Sequence, residues 1–309
     1  MDLPEPDRSR LVAVNRTHLH LWEWGDPTNP PVICLHGAYD HGRMWDQLAP
    51  SLADQGFHVV APDLRGHGDS GRISTGHLWL ASALDIAELV RTLGGSAGLI
   101  GHSFGGGQAL FVAAMWPELA RWVIDIDGLG PPADALDLDA EGNDLAESSA
   151  AGFASLDRTL TQPPRVYPSR ADAAERRRRI NGRMPEPWIE HLTHHGTRQT
   201  EGGWSWKVDP MMSVGFPDSF DIDTLIEQYR LVECPTLVLT GTEPDTWSDL
   251  SEAEIAERVA AIGARHRSVP GTGHYLHLEQ PEVTLDALLA FIDEQHPVGV
   301  DRVAAEDRS

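Results

Sequence analysis

The sequence predicts an α/β domain: a mostly parallel eight-stranded sheet flanked by helices, interrupted by an inserted helical cap. Three observations predict it. Short runs rich in Val, Ile and Leu alternate with longer amphipathic stretches, the pattern of a parallel sheet covered by helices. That alternation breaks once, between about Pro131 and Asp221, where Pro, Gly, Asp, Arg and Trp cluster without any strand-like run. The chain has 309 residues, 41% apolar and 23% charged, which is long for one core and short for two independent ones, so one domain with an insertion is the simplest reading.

Leu11 to Val14 and His18 to Trp24 read as an opening hairpin. Val32 to Leu35, His58 to Ala61, Gly98 to Gly101, Trp122 to Ile126, Thr236 to Thr240 and Arg265 to Val269 read as buried strands. Helical periodicity falls on Met44 to Ala53, His77 to Leu93, Phe104 to Trp116, Ser251 to Ile262 and Val283 to Glu294. In the second of these, Leu80, Leu84, Ala87 and Leu93 predict the buried stripe, and Gly94-Gly95 the stop. Ser251 with Glu254 forms a capping-box pattern. The resulting division is a core of residues 11–130 and 222–295, a helical cap of 131–221, and flexible termini of 1–10 and 296–309.

The formal charge of −23 argues against nucleic acid as a partner, because a phosphate backbone would be repelled. No uninterrupted apolar run approaches the roughly 18 residues of a membrane span, and the opening MDLPEPDRSR has no apolar core of a leader. Two cysteines, Cys34 and Cys234, sit in or beside apolar runs and suggest buried thiols rather than a disulfide framework. A cytoplasmic location is the expectation, and oligomeric state is left open.

Leu99 to Gly107 carries an apolar strand into Gly101-His102-Ser103-Phe104-Gly105 and then into a helix, the context of a nucleophile elbow. There the serine occupies a sharp, strained turn, and the flanking glycines leave room for the neighbouring strand and helix. Ser103 is the predicted nucleophile. His36-Gly37-Ala38-Tyr39 follows the first central strand, so Ala38 N–H paired with Phe104 N–H is the predicted oxyanion hole.

Fifteen histidines compete for the role of base. His274 follows the last predicted strand directly, which sets it at the same carboxyl edge as Ser103. His266 and His277 read as structural, and His67 and His102 as local hydrogen-bonding residues. The acid is expected after the penultimate strand at Asp245, on a loop shared with Glu243 and Asp249. Asp127, directly after the strand ending at Ile126, is the alternative.

These motifs together resemble the α/β-hydrolase fold from about Leu11 to Phe291. The resemblance rests on His36-Gly37, the D-x-R-G-x-G-x-S segment Asp63 to Ser70, the elbow at Gly101 to Gly105, and G-x-G-H-x-x-x-x-E-x-P at Gly271 to Pro281. Asp127 to Pro131 and Gly202 to Pro210 are similar to a bacterial group related to serine hydrolase-like proteins. One departure is that the carboxylate lies four residues after Gly241, where many relatives have three.

The resemblance implies a serine hydrolase that cleaves a small to medium carboxylic ester or related small-molecule acyl substrate through an acyl-enzyme, with no cofactor and no metal. Epoxide and haloalkane hydrolases of this fold need an aspartate nucleophile, which position 103 lacks. A carbon–carbon bond hydrolase of vinylogous diketones could use the same triad, and a non-catalytic ligand-binding member of the fold is the alternative from another class. Within the cap, Arg176 to Arg179 could bind an anionic substrate but read better as a solvated face amid Asp172 and Glu175, and His191, His194 and His195 lack the glutamate of an H-E-x-x-H metal site. Trp188, Trp204 and Trp206 fit either an acyl pocket or the cap's own core.

Overall fold

A computed structural model describes residues 3–72, 78–132, 163–214, 222–247 and 249–295, with a few positions between 154 and 161. In chain order its elements are β1 (Arg8–Val14), β2 (Thr17–Trp24), β3 (Pro31–Leu35), α1 (Ala49–Asp54), β4 (His58–Asp63), α2 (Leu78–Thr92), β5 (Ala97–His102), α3 (Phe104–Met115) and β6 (Ala120–Ile126). Then follow α4 (Arg170–Ile180), α5 (Glu186–Gly196), β7 (Thr197–Thr200), β8 (Gly203–Trp206), α6 (Ile222–Tyr229), β9 (Thr236–Gly241), α7 (Glu252–Ile262), β10 (Arg265–Val269), α8 (Leu276–Glu279) and α9 (Pro281–Gln295).

The eight-stranded sheet runs β1-β2-β4-β3-β5-β6-β9-β10. It is parallel from β4 to β10 and antiparallel where β2 meets β1 and β4. Side chains of a strand alternate between faces, and the central strands bury both sets. Ile33, Leu35, Leu99, Val123 and Val238 pack with α2, α3 and α6 on one face. Val32, Cys34, Ile100, Trp122, Ile124, Leu237 and Leu239 pack with α1, α5 and α9 on the other. Ser251 caps α7 with the reciprocal bonds of a capping box, as its sequence predicts.

Four expectations are corrected. The first ten residues do not form a free terminus throughout: β1 begins at Arg8, Asp7 accepts from Gly25 N–H at 2.7 Å, and Glu5 pairs with Arg43 at 2.8 Å. The buried stripe of α2 is Ala83, Ile86, Ala87 and Val90, whereas Leu80 and Leu84 are exposed. The buried face is centred on Ile86 and also takes Leu89, whereas Leu80 and Leu84 lie on the opposite side of the helix. β10 is an edge strand, not a buried one, with its first four residues exposed. The insertion between β6 and β9 is not wholly helical: β7 and β8 form an antiparallel hairpin turning at Glu201-Gly202, with Gly202 at φ 88°. The stretch 296–309 and much of 133–162 lie outside the described residues.

Candidate active site

Strand β5 ends where two glycines let backbones meet. A Cβ on Gly101 would stand 2.2 Å from the Gly105 carbonyl oxygen, and one on Gly105 would stand 2.4 Å from that of Leu35. Between them Ser103 takes φ 54° and ψ −120°, a conformation that costs a non-glycine residue about 1–3 kcal/mol. Backbone bonds hold it there: Ser103 N–H donates to Ile126 O at 2.9 Å, and Gly107 N–H donates to Ser103 O at 3.0 Å. The start of α3 therefore points its amide end at the serine, where negative charge is favoured.

Ser103 and His274 line one cavity of about 420 Å³, together with Gly37, Ala38, Tyr39 and Tyr275. Ala38 lines this cavity with Ser103, and Phe104 is the first residue of α3, directly after Ser103. The loop carrying Ala38 is fixed by histidines. His36 Nε2 accepts from Leu64 N–H at 2.8 Å, and His67 Nε2 accepts from Tyr39 N–H at 3.2 Å. Burial pushes both imidazoles below the ordinary histidine range, so both stay neutral and able to accept.

The imidazole of His274 is bonded through Nδ1 to Asp127 Oδ2 at 2.6 Å, and both side chains are almost fully buried. Asp245 does not reach the ring. Its Oδ2 accepts from the backbone N–H of His274 at 3.3 Å, and its Oδ1 from Trp247 N–H at 3.4 Å. The expected partnership of Asp245 with the imidazole therefore gives way to Asp127, and strand order supplies the reason. β6 lies between β5 and β9, so a loop from β10 that extends towards Ser103 passes over the end of β6, where Asp127 sits at φ 52°. Asp127 N–H is anchored to Leu239 O at 2.8 Å, which fixes that turn. Asp245, beyond β9, meets the base loop before the ring does.

Two further buried groups lie beside the pair of His274 and Asp127. His102 Nε2 lies 2.9 Å from the carbonyl oxygen of His274 and ties the elbow to the base loop; burial, then the neighbouring His277 and His274, keep it well below the ordinary histidine range. Asp125, fully buried on β6, is raised well above the ordinary carboxyl range by burial and then by Asp127. His266 bonds Thr240 Oγ1 at 2.9 Å at the edge of the sheet, and His277 is buried against Trp45.

The insertion closes the cavity with Tyr167, Arg176, Arg177, Ile180, Asn181, Trp206 and Val208. The sequence offered Trp206 as a pocket residue and the arginine run as an anion site, but did not single out Tyr167, Ile180, Asn181 or Val208. Arg177, read as part of a solvated face, is buried and pairs with the buried Asp40. Tyr275 O–H also donates to Asp40, at 3.3 Å, and receives Asn181 Nδ2 at 3.3 Å. This network joins α4 to the loop after β3 and to the base loop. Of the tryptophans, Trp188 packs in the core, Trp204 stacks with Arg170, and Trp206 lines the cavity.

Among the described residues, Asp46, His191 and His195 bring ligand atoms within 4.8 Å of one another. The Arg43 guanidinium already occupies that cluster, bonding Asp46 at 2.7 Å and approaching His195 at 3.4 Å. Burial, followed by Arg43, depresses His195 to about 2. A second such group is His20, Asp63 and Asp69, in which Asp63 accepts from Gly42 N–H and Asp69 N–H and so organises the D-x-R-G-x-G-x-S loop. No described helix is long and apolar enough to cross a membrane.

The sequence pattern of the alpha/beta hydrolase family matches residues 32–287. The chain is similar to 2-(acetamidomethylene)succinate hydrolase of Mesorhizobium japonicum, 30% identical over 292 residues that cover 92% of this chain and 95% of that protein. It is likewise 30% identical over 300 residues to serine hydrolase-like protein 2 of Homo sapiens, covering 92% and 94% of the two. Among solved structures, that of E-2-(acetamidomethylene)succinate hydrolase superposes with a TM-score of 0.73 at 27% identity, over 93% of this chain and 99% of that one.

Proposed function

The chain belongs to the alpha/beta hydrolase family, and we propose that within it Ser103 is the nucleophile of a serine hydrolase acting on a carboxylic ester or related acyl compound. One observation carries this reading: a serine at φ 54° on the β5–α3 turn shares a cavity with a histidine whose Nδ1 is bonded to a buried carboxylate at 2.6 Å. With Nδ1 engaged by Asp127, Nε2 is the nitrogen left to take the serine proton.

Substrate enters between the sheet edge and the inserted cap, and the Ser103 oxygen adds to the acyl carbonyl as its proton passes to His274. The imidazolium so formed is stabilised by Asp127, and the tetrahedral oxyanion by the N–H groups of Ala38 and Phe104. Collapse breaks the bond to the leaving alcohol, which takes the proton from His274. Water, activated by the same imidazole, then releases the acid from the acyl-serine.

Ser103→Ala tests this reading. Turnover of short-chain 4-nitrophenyl esters is expected to fall more than ~10³-fold with the melting temperature retained. Near-native turnover by that variant would overturn the proposal.

A further inference from the structure

We infer that the Ser103 cavity selects an anionic acyl substrate, one carrying a carboxylate apart from the scissile carbonyl, and that Arg176 receives that carboxylate. The inference rests on the serine-hydrolase reading for the position of the scissile bond.

The chain carries 47 acidic against 24 basic residues, so a cavity wall chosen at random would hold carboxylates. This one holds none among its described lining residues, but it holds two arginines. They differ in kind. Arg177 is buried and its charge is met from behind by Asp40. Arg176 is exposed at the cavity wall, and no carboxylate pairs with it among the described residues.

The neighbouring arginines make the contrast. Arg178 pairs with Glu175 and Glu186, Arg179 with Glu175 at 3.0 Å, and Arg183 with Glu279 at 3.0 Å. Helix periodicity explains why Arg176 stands apart: Ile180, one turn on, lines the same cavity, whereas Glu175 faces Arg178 and Arg179. A guanidinium with no carboxylate partner among the described residues, beside an apolar, aromatic-walled pocket, presents the donor fork that fits a carboxylate. Tyr167, Trp206 and Trp247 supply the apolar wall for the carbon chain between the two ends of such a substrate.

The test uses monomethyl esters of C4 to C8 dicarboxylic acids against methyl esters of the matching monocarboxylic acids, with acid release followed in a pH-stat. The native enzyme is expected to prefer the best anionic ester over its neutral counterpart by about tenfold or more in kcat/KM, expressed in KM. Arg176→Gln should bring that ratio to within about twofold of unity, and Arg176→Lys should restore part of it. A neutral series cleaved as well as the anionic one, or a preference unchanged in Arg176→Gln, overturns the inference while leaving Ser103 as nucleophile.

A second readout needs no turnover. Calorimetric titration of Ser103→Ala with the same intact esters should show the anionic series binding about tenfold tighter, a difference lost when Arg176→Gln is added. Equal binding of the two series also overturns it. Tight anionic binding without hydrolysis of any ester by the native protein would instead overturn the serine-hydrolase reading and keep the anion site.

Discussion

Replacing Asp127 by Asn separates the two carboxylates that approach His274. In the native protein the Asp127 carboxylate accepts from Nδ1 at 2.6 Å, and the two side chains are 6% and 5% exposed. When the imidazole becomes charged, the centres of charge lie about 4 Å apart; at an effective dielectric near 20 their attraction is about 4 kcal/mol. That is roughly three decades of rate. An amide can also turn its NH₂ towards the ring and favour the wrong tautomer, so the expected loss in kcat/KM is about 10³–10⁴-fold.

Asp245→Asn is the matched control. Its carboxylate accepts only backbone N–H groups, those of His274 at 3.3 Å and Trp247 at 3.4 Å, and the amide oxygen can keep the bond to His274, so less than about tenfold should be lost. The assay is steady-state hydrolysis of a 4-nitrophenyl ester, with circular dichroism and thermal melting to show that each variant is folded. Asp245→Asn losing as much as Asp127→Asn, or Asp127→Asn staying within tenfold of native, would refute the assignment.

Two stability predictions follow from the buried network. Arg177→Ala leaves the fully buried Asp40 without its counter-charge and should cost about 3–5 kcal/mol in urea unfolding, whereas Arg179→Ala, at an exposed pair, should cost less than about 1 kcal/mol. Equal costs would show that the Arg177 pair is not what holds α4 to the core. His277 is buried, with neither ring nitrogen bonded among the described residues; burial and then His274 hold it at about 3, against about 6.5 when unfolded. The folded state therefore binds the fewer protons: this residue's contribution is complete above about pH 6.5 and is lost as the pH falls towards 3. At pH 5 the loss is about 2 kcal/mol, so His277→Phe should gain about that much more over native at pH 5 than at pH 8. A gain independent of pH would contradict it.

What the sequence made legible was what depends on neighbours along the chain. The elbow is local as a pattern: two glycines, a serine and a strand-to-helix junction lie within nine residues, so it can be read without the distant groups that hold it. The placement of His274 beside Ser103 was legible because it follows the last strand of the sheet, and every parallel strand ends at the same edge. Its carboxylate partner was not, because Asp127 and Asp245 both follow strands at that edge. Choosing between them needs the lateral order β5-β6-β9-β10, which is a property of the folded sheet.

The insertion was the least legible part. Its hairpin is two strands of four residues with polar and tryptophan side chains, too short for period-two alternation to stand out. Arg176 and Arg177 are adjacent in sequence and opposite in circumstance. Only the packing of α4 against the loop carrying Asp40 distinguishes the buried one from the one at the cavity wall.

Mass spectrometry after treatment with a fluorophosphonate tests the nucleophile most directly. The native protein should gain a single phosphonyl group on the peptide containing Ser103, ester hydrolysis should fall in proportion to labelling, and Ser103→Ala should stay unmodified. Undiminished hydrolysis by protein fully modified at Ser103 would contradict the account, as would hydrolysis by a native protein that takes up no label.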